Sequence, residues 1–544
     1  MISAFPGVAP AARGTVSVRC RILAAAMVLP FAGCMVGPDF ATPAAPVAGK
    51  WLESGDPSVR SDHQNYEAWW TVFHDPTLDR LVRIAYEQNL TLLAAGARVL
   101  EARATLGMSI GEFYPQSQQI GANLGYNQAS QVDASSNPSH LLENYWRGAM
   151  GVQVAWELDF WGKFRRGVQS ADAAYLASIA TYDDVLVTLL GDVAASYIGI
   201  RTLQQQIAIA HENVVKQRRA LGIARDRFHG GTATGLDVFQ AENVLAQTES
   251  TIPQLTAQLQ QGENALRVLL GMTPESIDTL LAGSAAIPVP PPDVAVGIPA
   301  DLVRRRPDIR SAELRAAAQS AQIGVARADL YPAFSLTGAF GTVAGSTGSN
   351  RLNEVFTVGA IQFAFGPQFS WPVFNYGQIT NNVRVQDAKL QALLIEYRNT
   401  VLKAQQDVEN GLAAYLQGGR QVELLRRSVA AASSALRIAI DQYLLGTRDF
   451  TTVLTAEQNL YQAQSNLAVA SGNYASALAS VYRALGGGWQ IREGNEFVNG
   501  ATREEMRGRT DWGRLLPPAD QTQPASPGLP SPADRGPDVR APQW

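Results

Sequence analysis

One pattern occurs twice in this chain, 215 positions apart and without a gap over a long block. The repeated residues are Trp156, Gly162, Gly231, Glu242 and Gly271, which return as Trp371, Gly377, Gly446, Glu457 and Gly486. Self-similarity of this kind means that one structural unit is duplicated, so both halves should have the same order of elements. The fold is therefore constrained to two similar units, each joining a strand-like segment to a very long helical one.

The helical segments are predicted by composition and by the absence of proline. No proline occurs between Gly162 and Gly231 or between Gly377 and Gly446, and both stretches are rich in strong helix formers. Each predicts a single helix about 100 Å long. Shorter helices of about 50 Å are predicted at 79–112, 236–270, 299–330 and 451–485. Because two short helices match one long helix in length, we expect a stacked pair beside each long helix.

Apolar and polar residues alternate before each long helix. In the first half the apolar positions are Met150, Val152, Val154, Trp156, Leu158 and Phe160, and in the second they are Phe363, Phe365, Phe369, Trp371 and Val373. A period of two predicts strands with one apolar face. Weaker alternation precedes both segments, so the predicted strands cover about 116–130, 146–160, 333–346 and 361–374.

These strands have two interpretations. They could form ordinary hairpins over a soluble core, or they could cross a membrane, because their length and aromatic content suit a transmembrane barrel. Outside the N-terminus no run approaches the ~20 apolar residues of a membrane-spanning helix, so a membrane crossing would use strands. Four strands cannot close a barrel, and open edges are not tolerated in hydrocarbon. A membrane barrel would need two, three or four copies of the chain.

The two ends of the chain predict export and a tail. Residues 1–33 are predicted to be a secretory signal peptide, and Phe31-Ala32-Gly33-Cys34 is similar to a bacterial lipobox that would make 34–78 a lipidated N-terminal segment. The other cysteine, Cys20, lies within the signal, so we expect no disulfide. Residues 272–298 are predicted to be a Pro-rich linker, and 490–544 a Pro-rich, disordered tail.

Composition argues against several function classes. The net charge is −4, so binding of nucleic acid through phosphate neutralisation is not expected. The five histidines are scattered without metal-ligand spacing. The cluster Gly230–Gly235 follows a helix and not a strand, which is the wrong context for a phosphate loop. We therefore expect no enzyme activity, no metal and no cofactor other than a covalent lipid on Cys34.

Several motifs together resemble one family. They are the run Val289–Pro292, the run Gly297–Arg310 with Arg304-Arg305-Arg306-Pro307-Asp308, the junction Asp159–Lys163, Tyr331–Pro332 and Ala484–Trp489. The chain from about Cys34 to Trp489 is similar to the outer-membrane factor lipoproteins of tripartite, RND-type efflux pumps, the NodT/OprM-like branch of the TolC superfamily. The resemblance implies a mixed α+β membrane protein: a homotrimer with a 12-stranded outer-membrane β-barrel, four strands per chain, continuing into a 12-helix periplasmic α-barrel. It also implies a lipid anchor, a periplasmic adaptor and an inner-membrane pump.

The same resemblance assigns candidate sites. The turns at Gly231, Thr232, Gly446 and Thr447 would contact the adaptor at the periplasmic tip. Asp237, Tyr443 and Arg448 match the charged network that closes such channels. Thr452 and Thr455 stand where relatives often carry aspartates, which predicts weaker cation selectivity unless Asp449 substitutes for them. An ordinary surface ion pair remains the alternative for this network.

Three functions fit the sequence to different degrees. The leading hypothesis is an outer-membrane exit duct that passively conducts small-molecule cargo from an efflux pump. A channel for type I protein secretion shares the architecture. A periplasmic coiled-coil scaffold would explain the helices but not the alternating aromatic strands. The exported cargo does not follow from the sequence.

Overall fold

The computed structural model describes residues 35–60, 62, 66–128, 144–283, 285–346 and 350–516. The predicted signal peptide, Cys34 and residues 517–544 of the predicted tail lie outside the described residues. Two short strands, β1 (Val59–Arg60) and β4 (Val294–Ala295), pair in parallel. The segment predicted to be a linker is therefore folded against the N-terminal segment.

Four longer strands form one antiparallel sheet. They are β2 (Ser117–Asn127), β3 (Tyr145–Leu158), β5 (Ala333–Gly345) and β6 (Ile361–Ser370), in the spatial order β2-β3-β5-β6. The hairpin partners come from each half, and β3 joins β5 between the halves. Strands β2 and β6 are the two edges, so each carries a row of backbone groups without a partner strand in one chain.

The register places the alternating apolar residues on one face. Ile120 lies opposite Val152, Val152 opposite Phe340, and Phe340 opposite Phe363, so one apolar row crosses the whole sheet. All four side chains are exposed in the chain. The adjacent row begins with Gln119 opposite Gln153 and faces the other side. An exposed apolar face this broad is typical of a surface that lipid or another molecule covers.

Two 67-residue helices dominate the rest of the chain. They are α3 (Lys163–His229) and α7 (Gln378–Leu444). The first turn of α3 is held by Asp159, whose carboxylate accepts hydrogen bonds from the backbone N–H groups of Phe164 and Arg165, both at 3.0 Å. This capping explains why the chain passes from the end of β3 at Leu158 through a turn of four residues into α3.

The shorter helices lie along the long ones. They are α1 (Pro76–Gln88), α2 (Leu90–Gly111), α4 (Gly235–Leu269), α5 (Pro299–Arg305), α6 (Pro307–Ala328) and α8 (Phe450–Ala484). Helix α3 packs on α2 and α4 of its own half and on α6 and α8 of the second half, whereas α7 packs on α6 and α8.

Two predicted helices are interrupted. The expectation of one helix over 79–112 was wrong, because Asn89 is extended and its side chain accepts a hydrogen bond from the N–H of Leu92 at 2.8 Å, starting a new helix. The expectation of one helix over 299–330 was also wrong, because Pro307 has no N–H to continue a helix and forces Arg306 out of the helical region.

At each interruption, one side chain forms a hydrogen bond with the C-terminal end of the helix stacked against it. The Nδ2 of Asn89 donates to the carbonyl of Leu269 at the end of α4, at 2.9 Å. The Nη1 of Arg306 donates to the carbonyl of Ala484 at the end of α8, also at 2.9 Å. Leu269 and Ala484 are equivalent positions of the repeat. Different side chains therefore make the same connection in the two halves.

The N-terminal segment runs along the outside of the helices. The N–H of Val36 donates to the carbonyl of Trp161 at 3.0 Å, at the junction between the sheet and α3. Farther on, Thr42 contacts Glu313 of α6, and the backbone at Ala48 and Leu52 is bound by Gln405 and Glu409 of α7. The segment therefore fastens α6 to α7.

The C-terminal segment up to residue 516 is also packed. It contains a short turn of helix at Trp489–Arg492, then α9 (Gly500–Arg509). Val498, Met506 and Leu516 form a small apolar cluster with Leu100 of α2. The expectation of a disordered tail beginning at residue 490 was therefore wrong for 490–516, whose few apolar residues find partners only in the folded protein.

Within the described part of the chain, α3 alone contains a window that is long and apolar enough to cross a membrane, and most of that window is buried in the helix packing. The expectation that no such window exists outside the N-terminus is corrected accordingly. Burial of this kind is typical of a core helix.

Candidate functional site

The two turns at the ends of the long helices form the tip of the molecule farthest from the sheet. Gly231 and Gly446 have φ of 75° and 74°, a conformation that glycine adopts without strain. The N–H of Thr232 bonds the carbonyl of Arg227, and the N–H of Thr447 bonds the carbonyl of Gln442. Both turns are thus Schellman motifs, and all four predicted contact residues at Gly231, Thr232, Gly446 and Thr447 are exposed.

Two of the predicted gate carboxylates cap the helices that follow these turns. Asp237 accepts a hydrogen bond from the N–H of Thr234 at 3.1 Å, completing a capping box at the start of α4. Asp449 accepts hydrogen bonds from the N–H and the Oγ1 of Thr452, at 3.2 and 2.7 Å, at the start of α8. The hydrogen bonds from Thr452 hold the pKa of Asp449 below its usual value.

Three predicted gate residues line one groove. Asp449, Thr452 and Thr455 face a cavity of about 680 Å³ between α7 and α8, which the small residues Ala435 and Ala439 keep open on the α7 side. The groove therefore combines one carboxylate and two hydroxyls at the position where the family resemblance places an acidic ring.

Tyr443 is buried between the two halves of the tip. Its ring packs on Phe450 with centroids 5.0 Å apart, and the guanidinium of Arg227 lies 4.6 Å from the ring centroid. Arg227 also donates a hydrogen bond to the carbonyl of Tyr443. Burial raises the pKa of Tyr443, while the nearby Arg227 opposes that rise. Sequence reasoning missed Arg227, although its place at the end of α3 was a signal.

The predicted partners Asp237 and Arg448 do not form an ion pair within one chain, as far as the described residues go. The nearest ion pair to this region joins Arg225 of α3 to Glu242 of α4 at 2.5 Å. The chain therefore presents Arg448 at its surface and uses Asp237 for capping.

The titratable side chains of the described ranges form no metal-binding cluster. No group of three or more His, Cys, Asp or Glu residues with metal-binding geometry occurs there. The carboxylates with strongly raised pKa values are Asp183 and Asp184, which are neighbours on α3, and Glu457 on α8.

Comparisons with known proteins match this architecture. The family model described as outer membrane efflux protein matches residues 81–272 and 298–487. Nodulation protein T of Rhizobium leguminosarum bv. trifolii is 31% identical over 84% of this chain and 95% of its own length. The toluene efflux pump outer membrane protein TtgI of Pseudomonas putida is 31% identical over 85% of this chain and 97% of its own length.

Solved structures agree. The outer-membrane channel OprN superimposes with a TM-score of 0.78 at 31% identity, covering 84% of this chain and all of that one. The chain belongs to the outer membrane efflux protein family, and the predicted resemblance is confirmed. It is an outer-membrane exit duct of an efflux pump, with an extension into the periplasm.

Proposed function

We propose that three copies of this chain close a 12-stranded barrel in the outer membrane and a 12-helix tunnel through the periplasm. The supporting observation is that the long helices of the two halves are covered unequally. Helix α3 is covered by α6 and α8 of the second half, while the equivalent surface of α7 has no covering helix in the described chain. By repeat equivalence, α2 and α4 of the next copy would cover α7, and β2 of that copy would pair with β6.

Exposed apolar residues at the tip support this arrangement. Leu454 of α8 is only 6% exposed because it packs in one cluster with Ile223 of α3. Its repeat equivalent on α4, Phe239, is 69% exposed, and the equivalent of Ile223 on α7, Ile438, is 51% exposed. Phe239 of one copy and Ile438 of the next would therefore bury each other when the ring closes.

The proposal also assigns the anchor and the gate. Val36 is bound at the junction of sheet and helix, so a lipid on Cys34, two residues earlier, would enter the membrane beside the barrel. Arg448 lies at the surface of the tip, where it could pair with Asp237 of a neighbouring copy and close the tunnel with Tyr443. An Arg–Asp ion pair of this kind can hold helices together and can still be broken by competing contacts.

The relatives support the proposed partners. The toluene efflux pump outer membrane protein TtgI suggests a small-molecule cargo for this chain. An inner-membrane RND-type pump would drive export through a periplasmic adaptor that contacts the exposed turns at Gly231, Thr232, Gly446 and Thr447. The duct itself would be passive and would catalyse no reaction. The proposal requires no cofactor for conduction and no nucleic-acid partner.

Cysteine pairing tests the assembly. The variant carrying Phe239→Cys and Ile438→Cys should form disulfides between copies on oxidation, giving a ladder that ends at three chains. The matched control combines Ile438→Cys with Val215→Cys, because Val215 is exposed on α3, which α2, α4, α6 and α8 of its own chain already cover. A ladder that ends at another number, or equal ladders in both variants, would refute the proposed ring.

A further inference from the structure

Glu457 is a buried carboxylate in the apolar cluster of the tip. The cluster contains Ala220, Leu221, Ala224, Ala241, Val244, Leu436, Ala439, Tyr443, Phe450, Val453, Leu454 and Leu460. Val453, Leu454 and Leu460 share the face of α8 that carries Glu457, because they are three or four residues away. Glu457 is 3% exposed, and its Oε2 has no hydrogen-bond partner among the described residues. An ionised carboxylate in such a place is unfavourable.

A second acceptor without a donor lies across from it on α3. Asn213 of α3 donates to Gln464 of α8 at 2.8 Å, which fixes the register of these antiparallel helices. Gln217 lies about 6 Å farther toward the tip on α3, and Glu457 about 10 Å farther on α8, on the same faces. Gln217 is 3% exposed, and its Oε1 also lacks a partner within the described part of the chain. One proton on Glu457 would supply the donor that this pair of oxygens lacks.

The first half of the chain has a cation beside the carboxylate that is equivalent to Glu457. Glu242, its repeat equivalent, forms an ion pair with Arg225 at 2.5 Å and is partly exposed. The position equivalent to Arg225 is Ile440, which packs against the tip cluster. The carboxylate is therefore present in both halves, whereas its cation is present in only one.

Among the residues that the structure describes, no other charge compensates Glu457. Its own helix carries a single cation, Arg483, near the opposite end. The charged residues at comparable height on the packed helices are Lys216, Arg218, Arg219, Arg225, Asp226 and Arg227 on α3, Asp237, Glu242 and Glu249 on α4, and Arg437 and Asp441 on α7. Arg218 and Arg225 are paired with Glu249 and Glu242, Asp237 caps α4, and Arg227 lies over the ring of Tyr443. The others are exposed. Burial alone raises the pKa of Glu457 to about 7.

We propose that Glu457 is a proton-binding site that holds α3 and α8 together when its carboxyl donates a hydrogen bond to Gln217, and that loosens the tip when the proton leaves. The functional half of this inference rests on the proposed gate at the tip. Below neutral pH the neutral carboxyl fits the apolar cluster. Above it, an unpaired negative charge lies between two helices of the gate and favours their separation.

The sign of the effect follows from linkage. A carboxyl with a raised pKa binds more protons in the packed state than in the opened state, so packing is weakened as the pH rises through the interval between the two pKa values. The opening equilibrium can change by at most about tenfold per pH unit in that interval. The tip should accordingly be tightest in mildly acidic surroundings.

Infrared difference spectroscopy of the full-length protein in detergent tests the proton site itself. Between about pH 5 and about pH 9, the wild type should lose protonated-carboxyl C=O intensity from Asp183, Asp184 and Glu457, whose pKa values burial raises. The component with a midpoint near neutral pH is the Glu457 band, and Glu457→Gln should lack it. The control Glu242→Gln should keep the band, since Glu242 is ion-paired. A wild type without this band, or an unchanged band in Glu457→Gln, would overturn the proposal.

A second variant remains informative if Glu457→Gln folds poorly. Ile440→Arg restores the cation found in the other half and should move the midpoint to lower pH. An unchanged midpoint would contradict the assignment. Single-channel conductance in planar bilayers distinguishes the proton site from its coupling to the gate. The wild-type current should rise with pH around neutrality. The Glu457→Gln variant should conduct at every pH as the wild type does at low pH. A titrating band without a pH-dependent current would leave the site in place and refute its coupling to the gate.

Discussion

Replacing Arg306 by leucine should loosen the junction where α6 is stacked on α8. The guanidinium is 13% exposed and makes a bidentate pair with Asp308 at 2.9 and 2.8 Å, two contacts of 3.3 Å with Asp407, and the 2.9 Å bond to the Ala484 carbonyl. Leucine fills similar space and removes every donor. Three acceptors that now share one cation would lose it together.

The magnitude follows from how far each acceptor is buried. Hydrogen bonds to charged groups contribute about 1.5–3 kcal/mol each, which applies to the half-buried Asp308 and to the Ala484 carbonyl. Asp407 is 53% exposed, and a pair of that kind contributes about 0–1 kcal/mol. Because Asp308 can turn partly toward water, we expect the local opening free energy to fall by about 3 kcal/mol, or roughly a hundredfold in the opening equilibrium.

Hydrogen exchange read by mass spectrometry measures this directly. Peptides from the start of α6 and the end of α8 should exchange roughly a hundredfold faster in Arg306→Leu. The matched control is Arg420→Leu, because Arg420 is 61% exposed and pairs with Asp56 at 2.9 Å; its local exchange should change less than about fivefold. Exchange within about threefold of wild type in Arg306→Leu would refute the reasoning that this side chain joins the stacked helices.

Three further predictions concern other contacts that join separate segments of the chain. Asn89→Ala should destabilise the α2–α4 junction by about 1–2 kcal/mol through loss of the cap and of the bond to Leu269, seen as faster exchange at the start of α2. The control Asn375→Ala removes only local hydrogen bonds in the loop before α7, so exchange at the start of α2 should not change. Gly324→Val should release the N-terminal segment, because a Cβ there would lie 2.8 Å from the Val36 carbonyl oxygen, and limited proteolysis should then cut near residue 37; resistance equal to wild type would contradict the contact. Arg492→Leu should cost about 3 kcal/mol at neutral pH by leaving Asp183, bound at 2.5 Å, without its cation. Burial raises the pKa of Asp183 to about 6 although Arg492 opposes the rise, and loss of Arg492 would raise this pKa further. The melting difference from wild type should therefore shrink as the pH falls toward about 6, and a difference independent of pH would argue against this cause.

The strands and long helices were predictable because their signals are local. Alternation at Met150, Val152 and Val154 is a property of neighbouring residues, and the register then brings that face into line with Ile120 and Phe363. The lengths of α3 and α7 follow from two proline-free stretches that end at Gly231 and Gly446. Such patterns act within one or two turns of chain, so they can be read before any tertiary contact is known.

The helix interruptions and the structure of the C-terminal segment were harder to predict from the sequence. Pro307 and Asn89 carry recognisable breaking and capping signals, but strong helix formers on both sides outweighed them in a reading by composition. The segment 490–516 reads as polar and unstructured until Val498 and Met506 meet Leu100 of a distant helix. Contacts over hundreds of residues leave no trace in local composition.

The sequence by itself determined the duplicated plan of this protein: four strands with one apolar face, two helices of 67 residues, and a capped turn at the end of each. Only the tertiary structure decided what equivalent residues do. Glu242 and Glu457 are the same residue at the same place in the repeat, yet one is paired with Arg225 in water and the other is enclosed by apolar helices without a cation. The reason is physical: α8 lies between α3 and α7, whereas α4 lies at the edge of the chain, and the free energy of a carboxylate depends on the dielectric and charges around it, which the fold supplies.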